Sequence, residues 1–183
     1  IDKRTTAGKQ AYREFLEDAG NRTPISSELY EVCMDRRDVV ADYIPSKLDK
    51  VELTLCYEWC GHPFKSRLDW YDGELVWDLK TCRDASPRGF KNAINGFRYH
   101  MQAALYVEAC RASDLKAEGF NFLAQEKVHP YPYAIYSLSK EALKYAAARN
   151  ERAFQTLLKS KKENKFKPYN IEGIQTVELG DLW

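Results

Sequence analysis

Residues 65–81 have the sequence KSRLDWYDGELVWDLKT, and this stretch predicts a β-hairpin. Residues 65–71 and 74–81 are typical of strands, and Asp72-Gly73 lies between them. Asp-Gly at such a position favours a type I′ turn, because that turn requires a positive φ at both central residues. A two-residue turn predicts that Tyr71 pairs with Glu74 and that Asp69 lies opposite Val76.

The predicted hairpin brings two acids and a lysine onto one face of the sheet. Side chains alternate along a strand, so Val76, Asp78 and Lys80 share a face. Asp69 is expected on that face too, as a diagonal neighbour of Asp78 at roughly 7–8 Å. Two carboxylates at this spacing can bind one hard cation through oxygen atoms. An exposed polar face with an ion pair from Lys80 is the alternative explanation.

The rest of the chain predicts one domain, residues 1–183, of the α/β or α+β class. Alternating apolar residues predict a strand at 51–59, and a turn is expected at 60–63. Further strands are predicted at 118–126 and 133–137. Helices are predicted at 6–19, from Ser26 or Ser27 to about 42, at 87–112 and from Ser139 to about 162. Helices before, between and after strands indicate layers of helices on a mixed sheet.

Composition excludes several classes of protein. The 183 residues carry a net charge of +1, with 30% charged and 44% hydrophobic residues, as in ordinary globular domains. The sequence has no apolar run of the roughly 18 residues that a membrane helix needs. Five scattered cysteines favour reduced thiols over a disulfide framework. Cys56, Cys60 and His62 lack the second ligand pair of a zinc site.

Charge is distributed unevenly along the chain. Residues 140–167 contain nine lysines and arginines against three glutamates. Two interpretations remain open for this segment, a solvated helix face and a surface that follows a phosphate backbone.

Several motifs resemble the PD-(D/E)xK nucleases. Asp69 followed by Asp78-Leu79-Lys80 resembles the family signature, with Leu68 in place of its proline. Gln102 and Tyr106 resemble the Q-x-x-x-Y motif of RecB-type nucleases. The exonuclease VIII (RecE)-like branch of phage and prophage nucleases is the closer match, and lambda exonuclease is more remote. That match is carried by residues 2–9, 78–81, 83–86, 97–102 and 179–183, so it covers nearly the whole chain.

The resemblance implies a restriction-endonuclease-like core and a metal-dependent exonuclease. The expected cofactor is Mg²⁺, for which Mn²⁺ can substitute, and the expected substrate is the end of double-stranded DNA. Degradation from 5′ to 3′ without ATP, a role in phage-type recombination and a cytoplasmic location are implied as well. So are a ring-shaped homo-oligomer, a single-strand annealing protein as partner, and an N-terminal family segment ahead of this chain. An endonuclease and a catalytically inactive DNA-binding module on the same core are the alternatives.

The resemblance also assigns roles at the hairpin. Asp69, Asp78 and the backbone carbonyl of Leu79 are implied metal ligands. Glu52, on the polar side of the preceding strand, is a candidate for an additional ligand, unless it is simply solvated. Lys80 is expected to orient the attacking water and to stabilise negative charge on the phosphate.

The helix after the hairpin contributes a second group of residues. Gln102 and Tyr106 are four residues apart and lie on one helix face. They are expected to support the active site or to contact DNA, with a buried polar pair between helix and sheet as the alternative. Arg98, Tyr99 and His100 are candidates for DNA contacts or support of the site, although Arg98 can equally be a surface residue.

Overall fold

The computed structural model describes residues 2–43 and 50–166. Lys167 and the motif at 179–183 lie outside the described residues. The chain divides into two compact units, residues 1–46 and 47–183. The prediction of a single domain over the whole chain stays a prediction. No helix in the described part of the chain is both long and apolar enough to cross a membrane.

The first unit consists of helices, as the sequence predicts. Helix α1 spans Thr6–Ala19, and the Thr5 side chain caps it by accepting the Gly8 N–H. Helix α2 spans Ser27–Val40, and Ser26 caps it by accepting the Leu29 N–H. Hydroxyl side chains at these positions satisfy amide groups that the first turn of a helix leaves without partners. A short 3₁₀ helix, Ala41–Tyr43, follows.

In its described part, residues 50–166, the second unit is built on a five-stranded mixed sheet with the strands in chain order. Neighbouring strands are antiparallel, except that β3 and β4 are parallel. This arrangement confirms the predicted mixed sheet with an antiparallel meander. The strands are β1 (Lys50–Trp59), β2 (His62–Tyr71), β3 (Leu75–Cys82), β4 (Gly119–Glu126) and β5 (Tyr133–Ser137).

The turn before β2 is tighter than the sequence suggests. Cys60 and Gly61 both have positive φ, 52° and 73°, and Trp59 pairs with His62. These are the features of a two-residue type I′ turn. The strand β2 therefore begins at His62, and the predicted turn over 60–63 was too long.

The register of the β2–β3 hairpin also differs from the prediction. Tyr71 pairs with Val76, where the sequence predicted Glu74, and Trp70 pairs with Trp77. The Asp72 carboxylate is the cause, because it accepts the N–H groups of Glu74 and Leu75 and the indole N–H of Trp77. A side chain that bonds its own turn in this way moves the tip of the hairpin to Gly73-Glu74.

Within residues 50–166, three helices accompany the sheet, and two of them replace one predicted helix. The single helix expected at 87–112 is two, α3 (Pro87–Gly96) and α4 (Tyr99–Ala112). Arg98 interrupts them because its backbone is left-handed, with φ 61° and ψ 31°. Helix α5 spans Lys140–Glu163 and is capped by Ser139, as predicted.

The core lies between the sheet and α3 and α4. Phe90 of α3 and Phe120 and Phe122 of β4 are among its fully buried side chains. Helix α5 is fixed to α4 by a hydrogen bond of 2.8 Å from the Asn150 amide to the Met101 carbonyl. In the parallel ladder Val76 pairs with Phe120, and Asp78 pairs with Phe122. The ladder therefore places a carboxylate on the same face as the aromatic core.

Candidate active site

Asp78 is the most buried charged residue of the hairpin, with 1% of its surface exposed. Its Oδ1 accepts a hydrogen bond of 3.2 Å from the Gln102 amide. Its Oδ2 forms an ion pair of 2.6 Å with the Lys80 ammonium. Apart from this ion pair, no donor within residues 2–43 and 50–166 reaches the buried Oδ2. This oxygen therefore has acceptor capacity that the Lys80 ion pair alone does not use.

Asp69 lies on the neighbouring strand, where β2 and β3 separate. The ladder ends at the pair Trp70↔Trp77, and Asp69 and Asp78 are the residues next to this pair on β2 and β3. The Asp69 Oδ2 accepts a hydrogen bond of 2.9 Å from the Leu79 N–H. The sequence predicted these two acids as diagonal neighbours. The hydrogen bond to Leu79 and the effect of its charge on the Asp78 carboxyl place the Asp69 carboxylate near Asp78.

Burial is the main influence on the ionisation of Asp78, and Lys80 and Asp69 modify it in opposite directions. Burial raises the pKa of Asp78 from 3.8 to about 6, although the hydrogen bonding and charge of Lys80 act in the opposite direction. The negative charge of Asp69 raises the pKa further. A buried carboxyl whose pKa is raised, as that of Asp78 is, is typical of functional sites. A divalent cation between Asp69 and Asp78 would remove their repulsion.

Lys80 is held on two sides. It follows Asp78 by two residues on β3, and its side chain is 16% exposed. Its ammonium lies 4.7 Å from the centre of the Tyr99 ring. An ion pair and a cation–π contact together restrict the orientation of this flexible side chain.

Gln102 and Tyr106 support the site from α4. Gln102 Nε2 donates to Asp78 Oδ1 and, at 3.0 Å, to the Tyr106 hydroxyl. These bonds join helix α4 to the sheet, and a role of Gln102 and Tyr106 in supporting an active site stays a prediction. Sequence periodicity identifies the helix face but not this contact with Asp78.

Three other predicted residues make contacts of their own, although the β1–β2 pairs Val51↔Trp70 and Leu53↔Leu68 place Glu52 across from Asp69. Glu52 has φ 52°, is exposed, and forms an ion pair of 2.9 Å with Arg67. His100 is buried and its Nδ1 lies 3.3 Å from the Ile94 carbonyl, between α3 and α4. Arg98 is exposed at the start of α4. A ligand role for Glu52 and a DNA role for Arg98 and His100 stay predictions.

The donor set fits a hard cation with an incomplete protein shell. Over residues 2–43 and 50–166, no three His, Cys, Asp or Glu side chains form a metal-binding group. Asp69 and Asp78 supply carboxylate oxygens, and the Leu79 carbonyl is the predicted third ligand. Mg²⁺ commonly binds through one or two carboxylates, with water and substrate phosphate completing its shell.

Sequence reasoning missed residues beside the site. A cleft of about 570 Å³ borders β3 and α3, and Arg83, Phe97 and Lys127 are among the residues that line it. Arg83 and Phe97 lie within the motifs that carry the resemblance. Their positions directly after β3 and α3 could have indicated that they lie beside the site. The sequence around Lys127 gives no such indication. Lys127 lines the cleft because β4, which it follows, pairs in parallel with β3.

Comparisons with known proteins agree with the fold. A family model for a PDDEXK-like domain of unknown function (DUF3799) matches residues 46–179. A crystal structure of a “Putative exonuclease” from Eubacterium rectale aligns with a TM-score of 0.64 at 16% identity, over 97% of this chain and 75% of that chain. The structure of SSO0001 aligns at 12% identity over 82% of this chain and 88% of that one. Its TM-score is 0.34, too low to carry an argument. No curated protein matches the sequence.

Proposed function

Since this chain belongs to the family of PDDEXK-like domains, we propose that it is a metal-dependent deoxyribonuclease that acts at the ends of duplex DNA. One observation carries the proposal: the buried Asp78 carboxylate, with its Oδ2 beside Lys80 and its neighbour Asp69 across the hairpin. Two acids and a lysine on a half-covered face cost stability. A catalytic role explains why they are placed there.

The cofactor in this proposal is Mg²⁺, with Mn²⁺ as a substitute. Asp69, Asp78 and the Leu79 carbonyl would hold it, and Glu52 is a further candidate. A divalent ion at this position would supply a water of lowered pKa and would stabilise charge on the phosphate oxygens.

The chain's own residues supply orientation and charge. Lys80 presents a positive charge whose direction is fixed by Asp78 and by the Tyr99 ring. We infer that it orients the attacking water and stabilises negative charge that develops on the scissile phosphate. Gln102 fixes the rotamer of Asp78, and Tyr106 fixes Gln102. These supporting bonds keep the ligand oxygens in place without contacting the substrate.

A second DNA contact is proposed on α5. Eight of the nine lysines and arginines of the basic segment lie in the described residues, from Lys140 to Lys165. Arg149 and Arg152 line an open groove of about 660 Å³ with Tyr145. Such residues bind phosphates without reading sequence.

The exonuclease mode rests on the resemblance and on the name of the Eubacterium rectale protein. A 5′ to 3′ direction, independence from ATP and a role in phage-type recombination have the same basis. The resemblance also underlies the proposed ring-shaped homo-oligomer, the single-strand annealing partner and the cytoplasmic location.

Incubation with linear and closed circular duplex DNA tests the proposal. Purified protein is combined with Mg²⁺, Mn²⁺ or EDTA, and the products are separated by electrophoresis. We expect the linear DNA alone to be degraded, and only with metal. Nicking of the circle would replace the exonuclease with an endonuclease. Absence of cleavage with either metal would favour the inactive DNA-binding module.

Measuring cleavage by the Lys80→Ala variant tests whether the activity comes from this site. The variant is expected to bind DNA and metal but to lose nearly all turnover, because Lys80 acts on the transition state. Lys116→Ala is the matched control, since Lys116 is ion-paired with Glu74 and Glu118 away from Asp78. Full cleavage by Lys80→Ala would remove this lysine from the mechanism.

A further inference from the structure

Phe97 is exposed to an unusual degree beside the candidate active site. Its side chain is 71% exposed, between helices α3 and α4. Its ring stacks on Tyr99, with centroids 5.4 Å apart and an interplanar angle of 23°. Tyr99 in turn contacts the Lys80 ammonium. An exposed aromatic surface is therefore connected to Lys80 through a single side chain.

The backbone maintains this arrangement at some cost. Arg98, between the two rings, has a left-handed conformation, and no side chain caps the helix that it begins. A continuous helix would avoid this strain. Residues held in such conformations are concentrated at functional sites. The break directs residue 97 into solvent and residue 99 towards Lys80.

Tyr99 is a rigid support for an additional ring. Its ring is 6.4 Å from that of Phe90 and 6.0 Å from that of Phe122, both of which are fully buried. Packing against the core on one side fixes Tyr99, and Phe97 lies on its exposed side. A planar ligand that stacks here would therefore lose little additional side-chain entropy from the protein.

Cationic groups surround the same position. Phe97 and Tyr99 line a cleft of about 570 Å³ together with Arg83 and Lys127, and both of these cations are exposed. Asp84 also lines the cleft, but its carboxylate accepts the Ser86 N–H at the start of α3. Aromatic rings next to basic side chains are the combination that binds single-stranded nucleic acids, through base stacking and phosphate contacts.

We propose that Phe97 and Tyr99 form a base-stacking site that holds one unpaired nucleotide of the DNA beside Lys80. This inference rests on the proposed nuclease function and adds a substrate preference to it. A paired base inside a duplex has both faces covered by its neighbours and cannot stack on Phe97. DNA with an unpaired or frayed end is therefore the preferred substrate, and Arg83 and Lys127 bind the phosphates that flank this base.

Fluorescence of 2-aminopurine measures the stacking directly. A duplex with one unpaired terminal 2-aminopurine is titrated with the full chain carrying Lys80→Ala, so that cleavage does not interfere. We expect binding to quench the fluorescence. Adding Phe97→Ala should abolish most of the quenching and weaken binding roughly 5- to 150-fold. Phe97→Tyr should restore both, whereas a variant with a purely structural defect would not be rescued.

Two controls separate stacking from general effects. Phe166→Ala removes a phenylalanine of similar exposure, 64%, beyond α5 and should change neither signal. A duplex with 2-aminopurine paired in its interior should bind the Phe97→Ala protein and its parent equally. Unchanged quenching and affinity of Phe97→Ala on the unpaired end would overturn the proposal.

The outcome also separates this inference from the proposed function. Cleavage by the wild type together with quenching that does not depend on Phe97 would reject the stacking site and leave the nuclease. Quenching that depends on Phe97, without cleavage under any metal condition, would support the stacking site and reject the nuclease. In an active enzyme, Phe97→Ala should raise KM on frayed ends and leave kcat nearly unchanged.

Discussion

Replacement of Asp78 by asparagine should stabilise the metal-free protein at neutral pH. The wild-type carboxyl is buried, and its pKa is raised to about 6. Asparagine has the same shape without the charge, and its carbonyl can still accept the Gln102 amide. The variant should therefore lose activity and gain stability, which is the opposite of the usual effect of a core substitution.

The size of the gain follows from proton linkage. A pKa raised from 3.8 to about 6 means that folding favours the protonated form by about 3 kcal/mol. The contribution of Asp78 to the free energy of unfolding is therefore most favourable below pH 3.8. It falls as the pH rises through about 6 and is constant above that. The asparagine amide also meets the Lys80 ammonium, donor against donor, which reduces the gain. A net stabilisation of about 1–3 kcal/mol is expected at pH 8.

Urea unfolding monitored by circular dichroism at pH 8 and pH 4, with EDTA, measures this difference. At pH 4 the linkage contribution falls to about 0.5 kcal/mol, so the advantage of the variant should nearly disappear. Addition of Mg²⁺ at pH 8 should stabilise the wild type and leave Asp78→Asn unchanged, because only a ligand that binds the folded state shifts unfolding.

Asp69→Asn is the matched control. The asparagine carbonyl introduced by this substitution would still accept the Leu79 N–H, and Asp69 is less buried than Asp78. At pH 8 the Asp69→Asn variant should therefore gain less stability than Asp78→Asn. The source of this smaller gain is the loss of the repulsion between Asp69 and Asp78. A wild type more stable than Asp78→Asn at pH 8, or an equal difference at both pH values, would refute the assigned electrostatics.

Three further substitutions test other parts of the structure. Gln102→Ala removes the donor to Asp78 and should weaken Mg²⁺ binding about 10- to 100-fold by calorimetry; unchanged affinity would contradict a supporting role. Asp72→Ala removes the acceptor of three hydrogen bonds in the hairpin and should cost about 2–3 kcal/mol in urea unfolding. A loss below about 0.5 kcal/mol would mean that the turn does not depend on this side chain. Arg152→Ala should reduce the slope of log Kd for DNA against log salt by about 1, and an unchanged slope would place α5 outside the DNA interface.

The proximity of Asp69 to Asp78 could be predicted although the register could not. Strand side chains have a period of two, so a register error of two residues leaves every residue on its face, whereas an error of one would move it to the other. Asp72 caused the error. Its side chain competes with the backbone for the amide groups of the turn, and a propensity rule for Asp-Gly does not include that competition.

The helix break and the position of Glu52 could not be predicted. Both depend on a positive φ at a residue that is not glycine, 61° at Arg98 and 52° at Glu52. Such values are uncommon for these residue types and leave no pattern in sequence. Strand alternation alone does not show the ion pair that the Glu52 carboxylate forms with Arg67, and the ligand role of Glu52 stays a prediction. The bond from Gln102 to Asp78 requires the distance between helix and sheet, which periodicity does not contain.

Helix α4 connects the stability of the fold to the geometry of the site. Its first residue, Tyr99, contacts Lys80, and Gln102 three residues later binds Asp78. The neighbouring Ala103 and Val107 are buried against the sheet. A shift of this helix would therefore move the supports of the lysine and of the acid together. Burial of the Asp78 and Lys80 charges costs stability. The same helix that covers the apolar core also contacts both side chains, so their orientation depends on core packing and not on a flexible loop.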